Sequence, residues 1–453
     1  YARVSVNIAQ LTGLFDYSIP PELEEMIQPG VLVTLPFGRQ TVQAVVVETP
    51  AEPAVSEVKP IQSVIDPEPV LTPYQLQLAA RMAEHNLATL PQCIDLMVPA
   101  GLSQHADTLL THTAAAAPAN LTPLQARLLK LLEKRGPLRG RQVDAALPKV
   151  AWRESLPGLV KPGLVTSRSV LPPPAVRPKV MRTAQFSAPA DWRQNTEIVL
   201  GKTAPVRERR RLTLEFLEQQ AIPVSVAWVY AESGASSADL NTLAEMGLIR
   251  LGETEVWRDP LEKLKPVFTS PPVLTGDQEG VWQALLPQLS EPARRKPNLL
   301  VGVTGSGKTE IYLRAAAEVL AGGQGVFILV PEISLTAQTV KRFFARFPGR
   351  VALVHSKLSA GERYDTWRRI RSGELPVVIG ARSALFSPLP APGLIVIDEA
   401  HDDSYNQEDT QPHYRTVDTA LTLSQLTGAC LLLGSATPGI ETRFLFNDKG
   451  WNT

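Results

Sequence analysis

Apolar residues recur at every second position through the first hundred residues. Val4, Val6 and Ile8 do so, then Val31, Val33 and Leu35, then Val42, Ala44 and Val46, with Pro29-Gly30 and Pro36-Phe37-Gly38 as punctuation. A period of two turns one face of each strand inward, so this stretch predicts a small N-terminal β-barrel or β-meander. At Thr72-Pro73-Tyr74-Gln75 the pattern changes: Thr is an N-cap, Pro fits the first turn and Gln closes a capping box, which together open a helix. Residues 102–120, rich in Ala, Thr and Ser without periodicity, read as a linker. Thr122-Pro123-Leu124-Gln125 then starts a second helix carrying Leu128, Leu129, Leu131 and Leu132, followed by a shorter helical stretch and Leu159 to Val165. A similar progression returns with Arg211 to Leu217, Leu243 to Ile249, and Val256 with Trp257. Helices, a Gly turn and a strand in that order predict two winged-helix units, separated by Leu171-Pro172-Pro173-Pro174.

Beyond residue 272 the texture becomes apolar strands alternating with amphipathic helices: Leu299 to Val303, Val326 to Val330, Val351 to Val354, Val377 to Ile379, Leu394 to Ile397 and Cys430 to Leu433. That alternation predicts a doubly wound parallel sheet with helices on both faces. The expected chain is therefore multidomain α/β: a β domain over 1–101, winged-helix units over 121–180 and 200–262, and a RecA-like lobe over 270–453. A length of 453 residues agrees, being too long for one core. A formal net charge of +0 argues against a wholly basic nucleic-acid coat but leaves room for local basic faces. The two cysteines, Cys93 and Cys430, are too few and too far apart for a disulfide framework or a zinc site, which fits a reducing cytoplasm. No apolar run approaches the length of a bilayer span, so no membrane partner is expected. The chain opens at Tyr1 and stops at Trp451-Asn452-Thr453 in mid-pattern, as a piece of a longer protein would.

The chemistry lies in the loops after the parallel strands. Gly302-Val303-Thr304-Gly305-Ser306-Gly307-Lys308-Thr309 fits a phosphate-binding loop set between a strand and a helix. Its glycines let backbone N–H groups face phosphates, Lys308 reaches the β and γ oxygens, and the Thr309 hydroxyl ligates Mg²⁺. A plain glycine turn capping a helix is the alternative. Asp398-Glu399-Ala400-His401 follows the strand Leu394 to Ile397, where Asp398 can hold Mg²⁺ and Glu399 can orient or deprotonate an attacking water. Alone, such an acidic pair often only complements a helix dipole. His401 is assigned a coupling role beside a structural alternative. Ser435 and Thr437 of Gly434-Ser435-Ala436-Thr437-Pro438 can sense the γ-phosphate. Gln278, in Thr275-Gly276-Asp277-Gln278, is placed to read adenine, although a capping box explains the same pattern. ATP and Mg are thus the expected cofactors.

In that order, phosphate loop, Asp-Glu-Ala-His and Ser-Ala-Thr, the set resembles the first motor lobe of superfamily 2 helicases. In that superfamily the strand-end loops at Val330 to Thr336 and Gly380 to Phe386 grip the DNA backbone, with Arg382 the phosphate contact. Val303 to Tyr312, Val330 to Thr336, Gly380 to Phe386 and Gly434 to Pro438 are more closely similar to the PriA-type replication-restart helicases. Ser404 to Asp409, continuing to His413-Tyr414-Arg415, looks like that family's aromatic-rich loop, in which Tyr405 and Tyr414 would stack on bases. After Tyr414 the chain reads Arg-Thr-Val-Asp where the family pattern has His-Ala-Arg-Asp. The resemblance also reaches the N-terminus, where Phe15-Asp16-Tyr17, Gly38 and Lys59 match a pocket for the 3′ end of a nascent strand; barrel core is the alternative for Phe15 and Tyr17. It implies an ATP-dependent 3′ to 5′ DNA helicase that recognises branched forks with a 3′ end and single-stranded DNA. Implied partners are a single-stranded-DNA-binding protein and primosome or helicase-loading proteins, at a cytoplasmic, nucleoid-associated site. Zinc and a second motor lobe would belong to the family's C-terminal part. Another superfamily 2 translocase, or an ATP-independent fork-binding adaptor, are the rival readings.

Overall fold

The computed structural model describes residues 1–8, 10–38, 40–99, 102, 107–113, 121–148, 150–170, 176–189, 191–195, 198–262, 271–291, 296–332 and 337–448. It divides into two compact units, one built from Tyr1–Val176 and Pro260–Thr453, the other from Arg177–Asp259. Among the described residues no helix is long and apolar enough to cross a membrane.

The first unit opens with a six-stranded sheet made from Ala2–Val6, Phe15–Ser18, Leu32–Phe37, Gln40–Glu48, Lys59–Pro60 and Ser63–Asp66. Its alternating residues do what a period of two requires: Val4, Val6, Val33, Leu35, Val42, Ala44 and Val46 all enter one core. The segment 59–66 lies along both edges of this sheet, parallel to Tyr17-Ser18 and then antiparallel to Leu32–Thr34. A single short stretch thereby covers backbone that would otherwise be open to pairing with another chain. Helix Pro73–His85 starts at the expected capping box, with Thr72 and Gln75 bonding each other's backbone N–H. Its Leu76, Leu78, Ala79 and Met82 join the core that also holds Ala420 and Leu423 of helix Thr416–Thr427.

Residues 107–112, expected as linker, instead form the strand Asp107–His112, central between Leu138–Arg139 and Val165–Val170. Its partners are remote in sequence, so nothing local announces it. Most of the remaining linker, and Leu171 to Pro174, fall outside the described residues. In the second unit, strand Lys179–Phe186 lies between Val224–Ser225 and Ile249–Val256, accompanied by helices Ala204–Glu218, Val226–Ser233 and Ser237–Glu245. This unit starts at Arg177, earlier than the expected 200, because the first half of its leading strand is exposed and carries no apolar alternation.

The six expected C-terminal strands form one all-parallel sheet, in the order Asn298–Val301, Cys430–Ser435, Pro392–Ile397, Gly325–Leu329, Val377–Gly380, Val351–Val354. Its residues alternate strictly between two cores. Phe327, Leu329, Ile395, Ile397, Leu431 and Leu433 face the helices Ala360–Arg371 and Thr416–Thr427 and the N-terminal helix. Val326, Ile328, Leu394, Val396, Cys430 and Leu432 face Gly276–Ser290, Lys308–Ala321 and Ala337–Arg346. Burial on both faces explains why these strands read as continuous apolar runs. Parallel strands also deliver their following loops to one edge, and that edge carries the chemistry.

Candidate nucleotide site and candidate nucleic-acid interface

The phosphate loop turns on Gly305 and Gly307, at φ +85° and +89°, a region that costs a side-chain-bearing residue. Gly307 caps helix Lys308–Ala321, so Lys308 and Thr309 occupy its first turn, at the positive end of the helix dipole. Lys308 is 9% exposed; its Nζ donates to the Gly302 carbonyl at 2.8 Å and lies 3.5 Å from Glu399 Oε1. Thr304, Gly305, Gly307, Lys308, Thr309, Asp398 and Glu399 line one cavity of about 580 Å³. The two acidic residues and the lysine therefore meet across a single crevice.

Asp398 directly follows the buried strand Pro392–Ile397 and its Oδ1 accepts a hydrogen bond from the Tyr312 hydroxyl at 2.9 Å. Burial pushes its carboxyl above the usual carboxylate range, with the Tyr312 bond opposing that shift. Glu399 adopts φ +47°, in the left-handed region that non-glycine residues seldom occupy. His401 Nδ1 lies 2.8 Å from Ser435 Oγ and 3.7 Å from Glu399 Oε2, and Ser435 Oγ also accepts the Thr437 N–H at 3.1 Å. Backbone bonds from Gly302 N–H to Ser435 O and from Ala400 N–H to Gly434 O tie the three loops together. Gln278 serves two ends at once: its Oε1 accepts the Thr275 N–H at 3.0 Å and its Nε2 donates to the Ser306 carbonyl at 2.8 Å. The capping geometry and a contact with the phosphate loop thus coexist in one side chain.

Thr309 and Asp398 offer hard oxygen donors to this cavity, a set suited to Mg²⁺ when substrate phosphates complete its shell. Sequence reasoning missed three residues here. Arg342 is exposed and lines the cavity, while Arg346 bonds Glu310 at 3.0 Å, where Arg314 also reaches it at 3.2 Å. Both Arg342 and Arg346 lie on a helix whose sequence carries no nucleotide-binding signature. Tyr312, spaced one helical turn from Lys308, reads in sequence as ordinary core.

Phe15, Asp16, Tyr17, Gly38 and Lys59 come together around a second cavity of about 380 Å³. Asp16 is held by Arg3 at 2.9 Å and by the Ala54 N–H, and the Arg3 hydrogen bond lowers its pKa. Phe15 meets Phe37 edge-to-face at 5.1 Å. Tyr17 is buried, its hydroxyl bonded to the Pro36 carbonyl, so it forms wall, whereas Lys59 is exposed. Arg382 donates to the carbonyls of Ser404 and Asn406 at 3.1 and 2.8 Å, which ties its strand-end loop to the aromatic-rich stretch. Tyr405 and Tyr414 correct the expectation placed on them. At 2% and 5% exposure neither ring is open to a base: Tyr405 donates to the Asp398 carbonyl at 2.8 Å and Tyr414 packs edge-on against Phe386. Residues 333–336 of the stretch Val330 to Thr336 lie outside the described residues.

Comparison with known proteins matches residues 3–99 to the 3′DNA-binding domain of PriA and residues 275–444 to the DEAD/DEAH box helicase family. The chain is 33% identical to the replication restart protein PriA of Bacillus subtilis over 97% of its length and 53% of that protein. To the PriA of Synechocystis it is 34% identical, over 98% of its length and 52% of that protein. It therefore spans about half the length of these curated relatives. Over 32% of the chain, identity to the PriA of Haemophilus influenzae reaches 49%, across 20% of that protein. Among solved structures, RecG bound to a three-way DNA junction is 26% identical over 39% of this chain and 22% of that one, at a TM-score of 0.29, a likeness too partial to carry a structural argument.

Proposed function

We propose that this chain belongs to the PriA replication-restart family and forms the fork-reading and nucleotide-binding part of an ATP-dependent 3′ to 5′ DNA helicase that helps reload the replisome. The observation that carries this reading is the approach of Lys308 to Glu399, 3.5 Å apart in the cavity that Asp398 also lines. In a RecA-like lobe Lys308 holds the β and γ oxygens, Thr309 and Asp398 hold Mg²⁺, and Gln278 sits where adenine can be read. The bound Mg²⁺ would neutralise charge on the phosphates. Glu399, beside Lys308 and His401, orients the attacking water, and His401, Ser435 and Thr437 relay the state of the phosphate. The N-terminal sheet, read as a small barrel, takes a strand's 3′ end through Phe15, Asp16 and Lys59, with Gly38 leaving room. Arg382 touches the DNA backbone, and the two winged-helix units hold duplex arms. Forks, single-stranded DNA, a single-stranded-DNA-binding protein and helicase-loading proteins are the proposed partners, at a cytoplasmic, nucleoid-associated site.

The discriminating experiment compares binding to a fork with a free and a 3′-blocked leading strand, in the chain as it is and with Asp16→Ala. A free 3′ end should bind more tightly, and the substitution should erase that preference. Equal binding of both forks by the unaltered chain favours a different superfamily 2 translocase. Fork binding that persists while nucleotide neither binds nor alters it, with or without Lys308→Ala, favours an ATP-independent adaptor.

A further inference from the structure

We infer that Tyr312 is a positioning residue for the metal-holding carboxylate of Asp398, an inference that rests on the nucleotide-site reading above. Tyr312 follows Lys308 by one turn on helix Lys308–Ala321 and is 1% exposed. Its hydroxyl donates to Asp398 Oδ1 at 2.9 Å. The backbone of the same aspartate is fixed from two other sides, its N–H bonded to the Leu329 carbonyl at 2.9 Å and its carbonyl accepting the Tyr405 hydroxyl at 2.8 Å. With the backbone held, the phenol sets the direction of the side chain. A neutral donor suits this task. A lysine or arginine in its place would cancel the charge that a divalent cation needs, whereas a hydroxyl orients the carboxylate and leaves its charge intact.

Gly434 supplies independent support. A Cβ added there would lie 1.7 Å from the Tyr312 hydroxyl oxygen and 3.3 Å from Asp398 Oδ1. The strand end that leads into Ser435-Ala436-Thr437 therefore leaves room for the phenol to reach the aspartate. A buried phenylalanine would fill the same space on the helix; what the tyrosine adds is this one bond.

The test is nucleotide binding by the full chain, with a fluorescent ADP analogue titrated across Mg²⁺ concentrations and also without metal. Tyr312→Phe should raise the Mg²⁺ concentration for half-maximal tightening about tenfold. Metal-free ADP affinity should stay within about twofold, since the loop backbone and Lys308 are untouched. Gly434→Ala should give the same signature by displacing the phenol, and the double variant should be no worse than the worse single one, because both remove one interaction. An unchanged Mg²⁺ midpoint in Tyr312→Phe overturns the inference, as does equal weakening with and without metal, or additive losses in the double variant. If the unaltered chain binds no nucleotide, the proposed function fails first and this inference with it. Normal Mg²⁺-dependent binding that ignores Tyr312→Phe sinks the inference alone.

Discussion

Glu399 is the residue at which backbone and chemistry pull in different directions. Its φ of +47° costs on the order of 1 kcal/mol or more for a residue with a Cβ, yet the position places the carboxylate between Lys308 and His401. Glu399→Gln keeps that shape and removes the base. Nucleotide affinity should hold within a few-fold while any hydrolysis falls by about 100-fold or more, checked by single-turnover measurement beside a binding titration. An unchanged hydrolysis rate would remove Glu399 from the chemistry. Lys308, Asp398 and Glu399 were legible in the sequence because a phosphate loop and an acidic strand end are local signals, and the parallel sheet brings all strand ends to one edge. Tyr405 and Tyr414 were not. Aromatic residues in a polar loop look exposed in one dimension, and only the fold reveals that their rings close over the core beneath Asp398 and Phe386. Tyr312 and Arg342 escaped for a related cause: the Asp398 that Tyr312 bonds, and most of the cavity that Arg342 lines, come from other segments of the chain.

Among the elements, the helix Ser237–Glu245 shows how a local signal acquires a tertiary role. Asp239 completes its capping box with Ser236, and its carboxylate also takes Arg210 at 2.9 Å and Arg209 at 3.2 Å from helix Ala204–Glu218. Burial alone would raise the pKa of Asp239. The Ser236 N–H and hydroxyl, then Arg210 and Arg209, outweigh that and bring it from 3.8 down to about 2. A folded-state pKa below the unfolded value contributes stability that is present above about pH 4 and is lost as pH falls toward about 2. Asp239→Ala should therefore cost about 3 kcal/mol near neutral pH, read by urea unfolding, with the gap to the unaltered chain closing across that acid range. A gap that ignores pH would mean that the carboxylate charge does not hold these helices. Helix starts at Thr72, Thr122 and Thr275 were readable because capping is local. Strands Asp107–His112 and Lys179–Phe186 were hidden, the first by partners distant in sequence and the second by an exposed first half without apolar alternation.

At the scale of the molecule, the N-terminal sheet with its helix and the parallel sheet share one unit. Gln75, having completed its capping box, donates to the Phe386 carbonyl at 2.8 Å, and the Tyr74 hydroxyl donates to Leu389 O at 2.8 Å. Arg371 bonds Asp66 at 3.1 Å across the same junction. The cavity around Asp16 and the cavity around Lys308 thus belong to one compact body. Periodicity gave both sheets but no hint of this junction, whose bonds join residues about three hundred positions apart. The motor reading requires that the crevice between Lys308 and the Asp398-Glu399 pair bind a magnesium nucleotide. Calorimetric titration of a non-hydrolysable Mg-ATP analogue into the chain, with and without Lys308→Ala, tests that directly. Saturable one-site binding by the unaltered chain, weakened about tenfold or more by the substitution, is the expected result; no binding, or binding that is indifferent to Lys308→Ala, would contradict it.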